Sequence, residues 1–230
     1  MAAPRPLTAE QLRREYWLLG KSQRQIAAEN GVTRTTIYRW LRRHHIPSRP
    51  RGTLQKHVNL SPQAIEFLEG ELLGDGCLVP TSRGHSVCYA HSSKYLEYIA
   101  WLSKTLAGFG MEQSGKVRCR NRHNSICYDY QTRSYLEMRA LYERWYPDGH
   151  KHIPNDLIIT PLMLRQFFLG DGSLIRGHNR RQIYLYCCGF SRDEDIGLAA
   201  KIALAIGVDG EDVHVQTSRY GPHIYFSKRE

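Results

Sequence analysis

The chain has 230 residues, 41% of them apolar, which is enough for one full domain, or for one domain with a small appendage. Its 32 Lys and Arg against 22 Asp and Glu leave a formal charge of +10, which points to a polyanionic partner, either nucleic acid or an anionic membrane surface. No apolar run approaches the ~18 residues of a membrane-spanning helix, and no apolar leader follows the segment Met1–Pro6.

The charge is concentrated at one end. Residues 1–59 carry 12 basic and 3 acidic side chains, a balance of +9, while residues 60–230 come to only +1. The pattern predicts two parts with different tasks.

Residues 8–45 read as three helices. Thr8 with Gln11 forms a capping-box start, followed by Leu12, Tyr16 and Leu19 at helical spacing. Ser22 with Gln25 opens a second helix with Ile26 and Ala27 on its apolar face, and Asn30-Gly31 closes it. Thr33 caps a third helix that buries Ile37, Trp40 and Leu41. Helix, glycine turn, helix is the helix-turn-helix pattern, and residues 22–43 resemble the resolvase or transposase type. Arg34, Thr35, Tyr38 and Arg39 are then exposed toward base edges, with Arg42 and Arg43 placed for phosphates. Residues 46–59, with Pro47, Arg49, Pro50, Arg51, Gly52 and Lys56, read as an extended basic linker whose charges can track a phosphate backbone.

The larger part, residues 60–230, contains a repeat. Leu68–Gly76 reads LEGELLGDG and Leu164–Gly172 reads LRQFFLGDG, so each is an apolar helix ending in Gly-Asp-Gly, with Asp75 and Asp171 96 residues apart. The first is followed by strands near 77–82 and 86–91, a helix near 93–108 closed by Gly110, and strands near 115–121 and 125–131. The second is followed by strands near 173–177 and 182–190, a helix near 192–206 closed by Gly207, and strands near 212–218 and 222–227. Two copies of one α/β unit imply pseudo-twofold symmetry within a single chain.

Both aspartates stand at the electrostatically disfavoured end of a helix. A bound cation removes that conflict, and two motif helices packed side by side would bring the carboxylates together. Asp-Gly is also a common turn dipeptide, but its recurrence at matching repeat positions favours a metal role. Hard oxygen ligands, with the main chain of Gly74 and Gly170 alongside, suit Mg²⁺ or Mn²⁺. Gly70 and Gly74 allow close helix approach on the first helix. The second has Gln166 where the first has Gly70, which predicts looser packing there. The six cysteines, among them Cys187-Cys188, form no CxxC pair, and the eleven histidines show no ligand spacing. The cysteines read as small apolar strand residues in a reducing compartment, cytoplasmic or nucleoid-associated, and no structural zinc is expected.

At these motifs residues 60–230 resemble the LAGLIDADG homing endonucleases in their two-motif, single-chain form. Lys151–Leu174, KHIPNDLIITPLMLRQFFLGDGSL, carries the most specific match. The resemblance implies an α+β fold of tandem αββαββα units whose sheets form a saddle over DNA, joined here to the small all-α helix-turn-helix module. It implies divalent metal at Asp75 and Asp171, and a catalytic-centre basic residue at Lys151. It also implies staggered double-strand cleavage with 3′ overhangs at the centre of a long site. The last strand ends close to Glu230, so the final helix of the second unit is expected to be missing. The expected organisation is a helix-turn-helix over 1–45, a linker over 46–59, and repeats over 60–150 and 151–230.

The saddle faces can also be read from alternation. Arg118, Arg120 and Arg122 alternate with Val117 and Cys119. Gln182, Tyr184 and Tyr186 alternate with Ile183 and Leu185, and His214, Gln216 and Ser218 with Val213 and Val215. Arg83, His85, Arg176, His178, Arg180, Arg181 and Arg219 fall near hairpin tips, within reach of flanking phosphates. The expected function is a monomeric, Mg²⁺-dependent, site-specific endonuclease acting on double-stranded DNA away from any membrane. The alternatives are a non-cleaving DNA-binding regulator on the same scaffold and an intron RNA maturase. An intein is disfavoured by the absence of a nucleophile at residue 1.

Overall fold

The computed structural model describes residues 6–48, 57–81, 86–122, 125–176, 181–218 and 221–226. Arg49, Arg51, Lys56, Arg83, His85, His178, Arg180 and Arg219, and most of the expected linker, lie outside them. The chain divides into two units, Met1–Gln55 and Lys56–Glu230.

In the first unit α1 (Ala9–Arg13), α2 (Gln23–Glu29) and α3 (Arg34–Arg43) pack around Leu12, Tyr16, Ile26, Ala27, Ile37, Trp40 and Leu41. Thr8 and Ser22 each form a capping box with Gln11 and Gln25, and Thr33 accepts the Thr36 N–H. Gly31 takes the left-handed conformation, φ +63°, that the turn between α2 and α3 requires. Leu19 departs from expectation and is 51% exposed. After Arg13 the first helix widens into a π turn, Arg14–Leu18, and the Leu19 N–H reaches back five residues to the Arg14 carbonyl. The wider turn breaks the 3.6-residue spacing and carries Leu19 off the buried face.

In the second unit α4 (Pro62–Leu73) leads to β1 (Cys77–Pro80), β2 (Val87–Ser93), α5 (Leu96–Gly108), β3 (Arg118–Arg122), β4 (Ser125–Gln131) and α6 (Met138–Trp145). The pattern then repeats as α7 (Pro161–Asp171), β5 (Gly172–Arg176), β6 (Arg181–Tyr186), α8 (Arg192–Ile206), β7 (Val213–Ser218) and β8 (Gly221–Phe226). Each repeat folds its strands into a four-stranded antiparallel sheet, β1-β2-β4-β3 and β5-β6-β8-β7, with the same connectivity. The two motif helices start alike: Ser61 and Thr160 cap helices whose first residues are Pro62 and Pro161. One apolar core runs through both repeats, from Phe67, Leu68 and Leu72 to Phe167, Leu198 and Ile224.

Strand alternation sorts each sheet into two faces. Tyr89, His91 and Tyr130 turn inward from the first sheet, and Leu185 and Ile224 from the second. α5 begins three residues later than its sequence pattern predicts, because β2 extends to Ser93, which pairs with Tyr128. Of the apolar face expected for β3, Val117 packs against the core but Cys119 is exposed. α6 was implied only by the family resemblance, although Met138, Leu141 and Trp145 bury one stripe of it. Its last turn reaches α4, where Arg144 and the Trp145 Nε1 both donate to Glu69. In the second repeat no helix follows β8 among the described residues. Arg165, which corresponds to Glu69, borders an open apolar cavity of about 640 Å³ lined by Leu164, Phe168, Ile183, Ile206 and Phe226. No helix among the described residues is long and apolar enough to cross a membrane.

Candidate functional site

The motif helices α4 and α7 are packed against each other. The contact is close because of glycine. A Cβ built on Gly70 would stand 2.7 Å from the Met163 Cα and 2.8 Å from the Gln166 Cβ, so no side chain fits there. The expectation of looser packing at Gln166 is therefore corrected. Gln166 faces Gly70 across the axis, and the missing side chain on one helix accommodates the larger one on the other. Further along, a Cβ on Gly170 would lie 3.4 Å from the Asp75 backbone N and 3.6 Å from the Gly74 Cα. A Cβ on Gly74 would lie 3.5 Å from the Asp171 Oδ2. Asp75, just beyond α4, and Asp171, the last residue of α7, are thus neighbours at the ends of the paired helices.

Their surroundings are electrostatically strained. Burial and the nearby Asp75 push the Asp171 carboxyl up to about 6. The Asp75 carboxyl is also raised, mainly by burial and further by Glu71, with His91 and Lys151 opposing. The Lys151 Nζ donates to the carbonyls of Gly74 and Gly76, 2.9 Å each, and so straddles the first Gly-Asp-Gly turn. Burial lowers its pKa, against the attraction of both aspartates. Lys151 also lies 5.5 Å from the centre of the Phe190 ring. Sequence spacing alone does not predict that one lysine clasps the first motif.

The donor set suits a hard divalent cation. Two buried carboxylates stand side by side, and each is raised in pKa chiefly by burial, against the pull of His91 and Lys151. Among the described residues no group of three or more His, Cys, Asp or Glu forms a ready-made cage. A cation held here would therefore need oxygens from water and from a phosphate, the arrangement Mg²⁺ favours. The Gly74 carbonyl already accepts from Lys151, which places the lysine rather than a cation on at least one of its lone pairs.

Residue-level reading missed a polar network behind Asp75. Glu71, only 2% exposed, accepts from the Tyr89 hydroxyl at 2.6 Å and the Tyr98 hydroxyl at 2.9 Å. The His91 Nδ1 lies 3.3 Å from Glu71 and 3.1 Å from the Tyr89 hydroxyl. With its amide nitrogen turned toward α4, Gln166 donates to Glu71 at 3.0 Å and ties α7 into the same network. Burial and Glu71 hold both tyrosines above the ordinary phenol range. The available signal was a glutamate at an apolar position of the first motif, where the second motif has Phe167. Asp195 was also missed. It is fully buried at the start of α8 near Cys187, and burial pushes it up to about 6.

The expected contact residues fall into groups. On α3, Arg34, Thr35, Tyr38, Arg39, Arg42 and Arg43 are all exposed, opposite the buried Ile37, Trp40 and Leu41. On the outward face of the first sheet, Arg118 and Arg120 are exposed and Arg120 pairs with Asp129 at 2.7 Å. The outward face of the second carries Gln182, Tyr184, Tyr186, His214, Gln216 and Ser218, with His223 and Tyr225 beside them. Arg122, Arg176 and Arg181 belong to β3, β5 and β6, at the strand ends that pair Arg122 with Ser125 and Arg176 with Arg181.

Tandem sheets joined through two motif helices, with an aspartate at the end of each helix, define the class of protein. Residues 65–230 match the model of the LAGLIDADG DNA endonuclease family, and residues 11–52 match a homeodomain-like domain. The uncharacterized protein MJ1098 of Methanocaldococcus jannaschii is 32% identical over 201 residues, covering 85% of this chain and 78% of that protein. The cytochrome b mRNA maturase bI2 of Debaryomyces hansenii is 25% identical over 122 residues, and the match spans about half of each chain, 49% and 47%. The homing endonuclease I-WcaI, solved bound to its DNA recognition sequence, superposes with a TM-score of 0.64 at 20% identity, covering 73% of this chain and 76% of that one. The chain belongs to the LAGLIDADG DNA endonuclease family, and its N-terminal unit is helix-turn-helix-like.

Proposed function

We propose that the protein is a site-specific endonuclease that hydrolyses both strands of a DNA duplex, leaving 3′ overhangs, with Mg²⁺ or Mn²⁺ as cofactor. The observation that carries this reading is the pair of aspartates brought side by side at the ends of α4 and α7, both raised in pKa and both facing Lys151. Asp75 and Asp171, assisted by the main chain at Gly74 and Gly170, would hold the cation. When bound there, a divalent cation supplies an activated water and neutralises charge that develops on the phosphate. Lys151 fixes the first Gly-Asp-Gly turn through Gly74 and Gly76 and adds positive charge next to the scissile phosphate. Close packing at Gly70 sets the separation of the carboxylates, and the buried Glu71 network keeps α4 from rotating.

The outward sheet faces then form the duplex-binding surface. Residues 1–45 act as an added DNA-binding arm, residues 46–59 as its basic linker, and residues 60–150 and 151–230 as the two half-site readers. One chain supplies both halves, so the protein acts as a monomer. Retention of both aspartates argues against a non-cleaving regulator, because such a role does not need them.

The test is a cleavage selection on a randomised duplex library with Mg²⁺, followed by Asp75→Asn and Asp171→Asn on the selected site. Each variant is expected to lose cleavage and keep binding. Cleavage by both at the wild-type rate overturns the mechanism. The maturase relative supports a second reading, in which the same surface binds a structured intron. Splicing stimulation by the purified chain, without duplex cleavage, would favour it.

A further inference from the structure

The two outward sheet faces differ in chemistry, and the difference lies in how their polar side chains are held. In the first sheet Arg120 stands between Arg118 and Arg122 on its own strand, and the β4 positions facing them, Ser125, Cys127 and Asp129, are small or acidic. Arg120 Nε pairs with Asp129 Oδ2 at 2.7 Å, and the Ser92 hydroxyl donates to Asp129 Oδ1 at 2.7 Å. Asp129 is thus pinned by the neighbouring strand β2 and in turn pins the guanidinium. An arginine held through Nε still presents its two terminal amines as a planar fork, with less rotamer entropy left to lose on binding.

In the second sheet an aromatic layer does the pinning. The Tyr184 ring stacks on Tyr225 at 5.8 Å and 25°, and Tyr225 on His214 at 4.8 Å and 26°. His223, 4% exposed, packs against Tyr184 at 4.8 Å and Tyr186 at 5.7 Å. Ring packing fixes where the hydroxyls stand, and each hydroxyl holds a glutamine. The Tyr184 hydroxyl donates to Gln182 Oε1 at 3.0 Å, and Gln216 Nε2 donates to the Tyr225 hydroxyl at 3.3 Å. A hydroxyl both donates and accepts, so it anchors a carboxamide in either orientation. Each amide retains one further lone pair on oxygen and at least one further N–H.

We propose that the two sheets are built to read different purines: Arg120 a guanine in one half-site, Gln182 and Gln216 adenines in the other. In the major groove guanine offers two acceptors, O6 and N7, which match the arginine fork, whereas adenine offers N6–H and N7, which match a carboxamide. Rigid strands carry all three side chains, and each is buttressed by a neighbour fixed by its own packing. The recognised duplex is therefore chemically asymmetric about its centre. This inference rests on the reading of the outward faces as a duplex-binding surface.

The experiment is selection of bound sequences from a randomised duplex pool by the full chain, repeated with Arg120→Ala, Gln182→Ala, Gln216→Ala and Gln216→Arg. Arg120→Ala is expected to weaken a guanine preference by about tenfold or more, and Gln182→Ala and Gln216→Ala to weaken adenine preferences on the opposite side of the centre. Gln216→Arg should convert its adenine column to guanine, a result that a merely destabilised fold does not produce. A wild-type chain that enriches one sequence whose columns stand unchanged in every variant overturns the base assignment and leaves the endonuclease reading standing. A wild-type chain that enriches no sequence overturns both.

Discussion

Asp171 has more to gain from a cation than an ordinary surface carboxylate. Its folded pKa of about 6 lies above the unfolded value of 3.8, so the fold favours the protonated form. In the metal-free protein the cost of ionising it begins near the unfolded value as pH rises and is complete above about 6. A divalent cation offsets that cost only where the carboxyl is ionised. Mg²⁺ should therefore raise the melting temperature at pH 8 and have little effect at pH 5. Metal-dependent cleavage should fall as pH drops through about 6. Equal stabilisation by Mg²⁺ at both pH values would show that Asp171 is not a ligand. Asp75 shifts in the same direction, and His91 and Lys151 oppose the shift of both carboxyls. The aspartates were evident in the sequence because Gly-Asp-Gly recurs 96 residues apart. Glu71 and Asp195 were not, because one acid in an apolar helix carries no repeat, and Asp195 closes an acidic run, Asp193-Glu194-Asp195, that reads as an ordinary helix start. Only their burial, at 2% and 0% exposure, sets them apart.

At the scale of elements, the paired motif helices bear the geometric demand. A Cβ on Gly70 would meet backbone atoms of Met163 at 2.7 Å, and backbone cannot move aside as a flexible side chain can. Gly70→Ala should therefore cost about 1–3 kcal/mol by overpacking, despite the better helix propensity of alanine, and chemical denaturation would measure it. It should also lower cleavage at saturating metal, since the helices must separate or rotate and carry Asp75 away from Asp171. An alanine variant as stable and active as wild type would contradict the close approach. Two of the departures from the expected elements have identifiable causes. The π turn Arg14–Leu18 rotates Leu19 into solvent, and β2 gains two residues because Ser92 and Ser93 find partners on β4. Neither cause is visible in a linear pattern, since one depends on helix winding and the other on strand register.

For the whole molecule, charge and chemistry are divided between the units. The +9 of residues 1–59 belongs to the proposed arm and linker, while the near-neutral remainder holds the proposed cleavage centre. Arm binding should thus depend on salt and cleavage on the divalent ion. Replacing Arg42 and Arg43 by alanine should lower the slope of log affinity against log salt by about one unit per lost phosphate contact. The metal concentration giving half-maximal cleavage should stay unchanged. Titrations of duplex binding at several salt concentrations check the first expectation, and a metal titration at saturating DNA checks the second. A shift in metal requirement would mean that the arm acts on the cleavage centre.

The sequence by itself determined the two units, the tandem repeat, the order of nearly all the strands and helices, and the two axial aspartates. These features rest on local or periodic signals: capping boxes, 3.6- and 2-residue alternation, and recurrence of a nine-residue motif. Tertiary structure alone decided which groups meet. It placed Gly70 against Gln166 rather than leaving a looser contact, and it set Lys151 across the first turn, with two bonds to carbonyls more than 70 residues earlier in the chain. It also joined Glu71 to Tyr89, Tyr98, His91 and Gln166, and filled one sheet face with stacked rings while leaving the other small and basic. Helix pairing and strand register bring together residues far apart in the chain, and a one-dimensional pattern contains no term for that proximity.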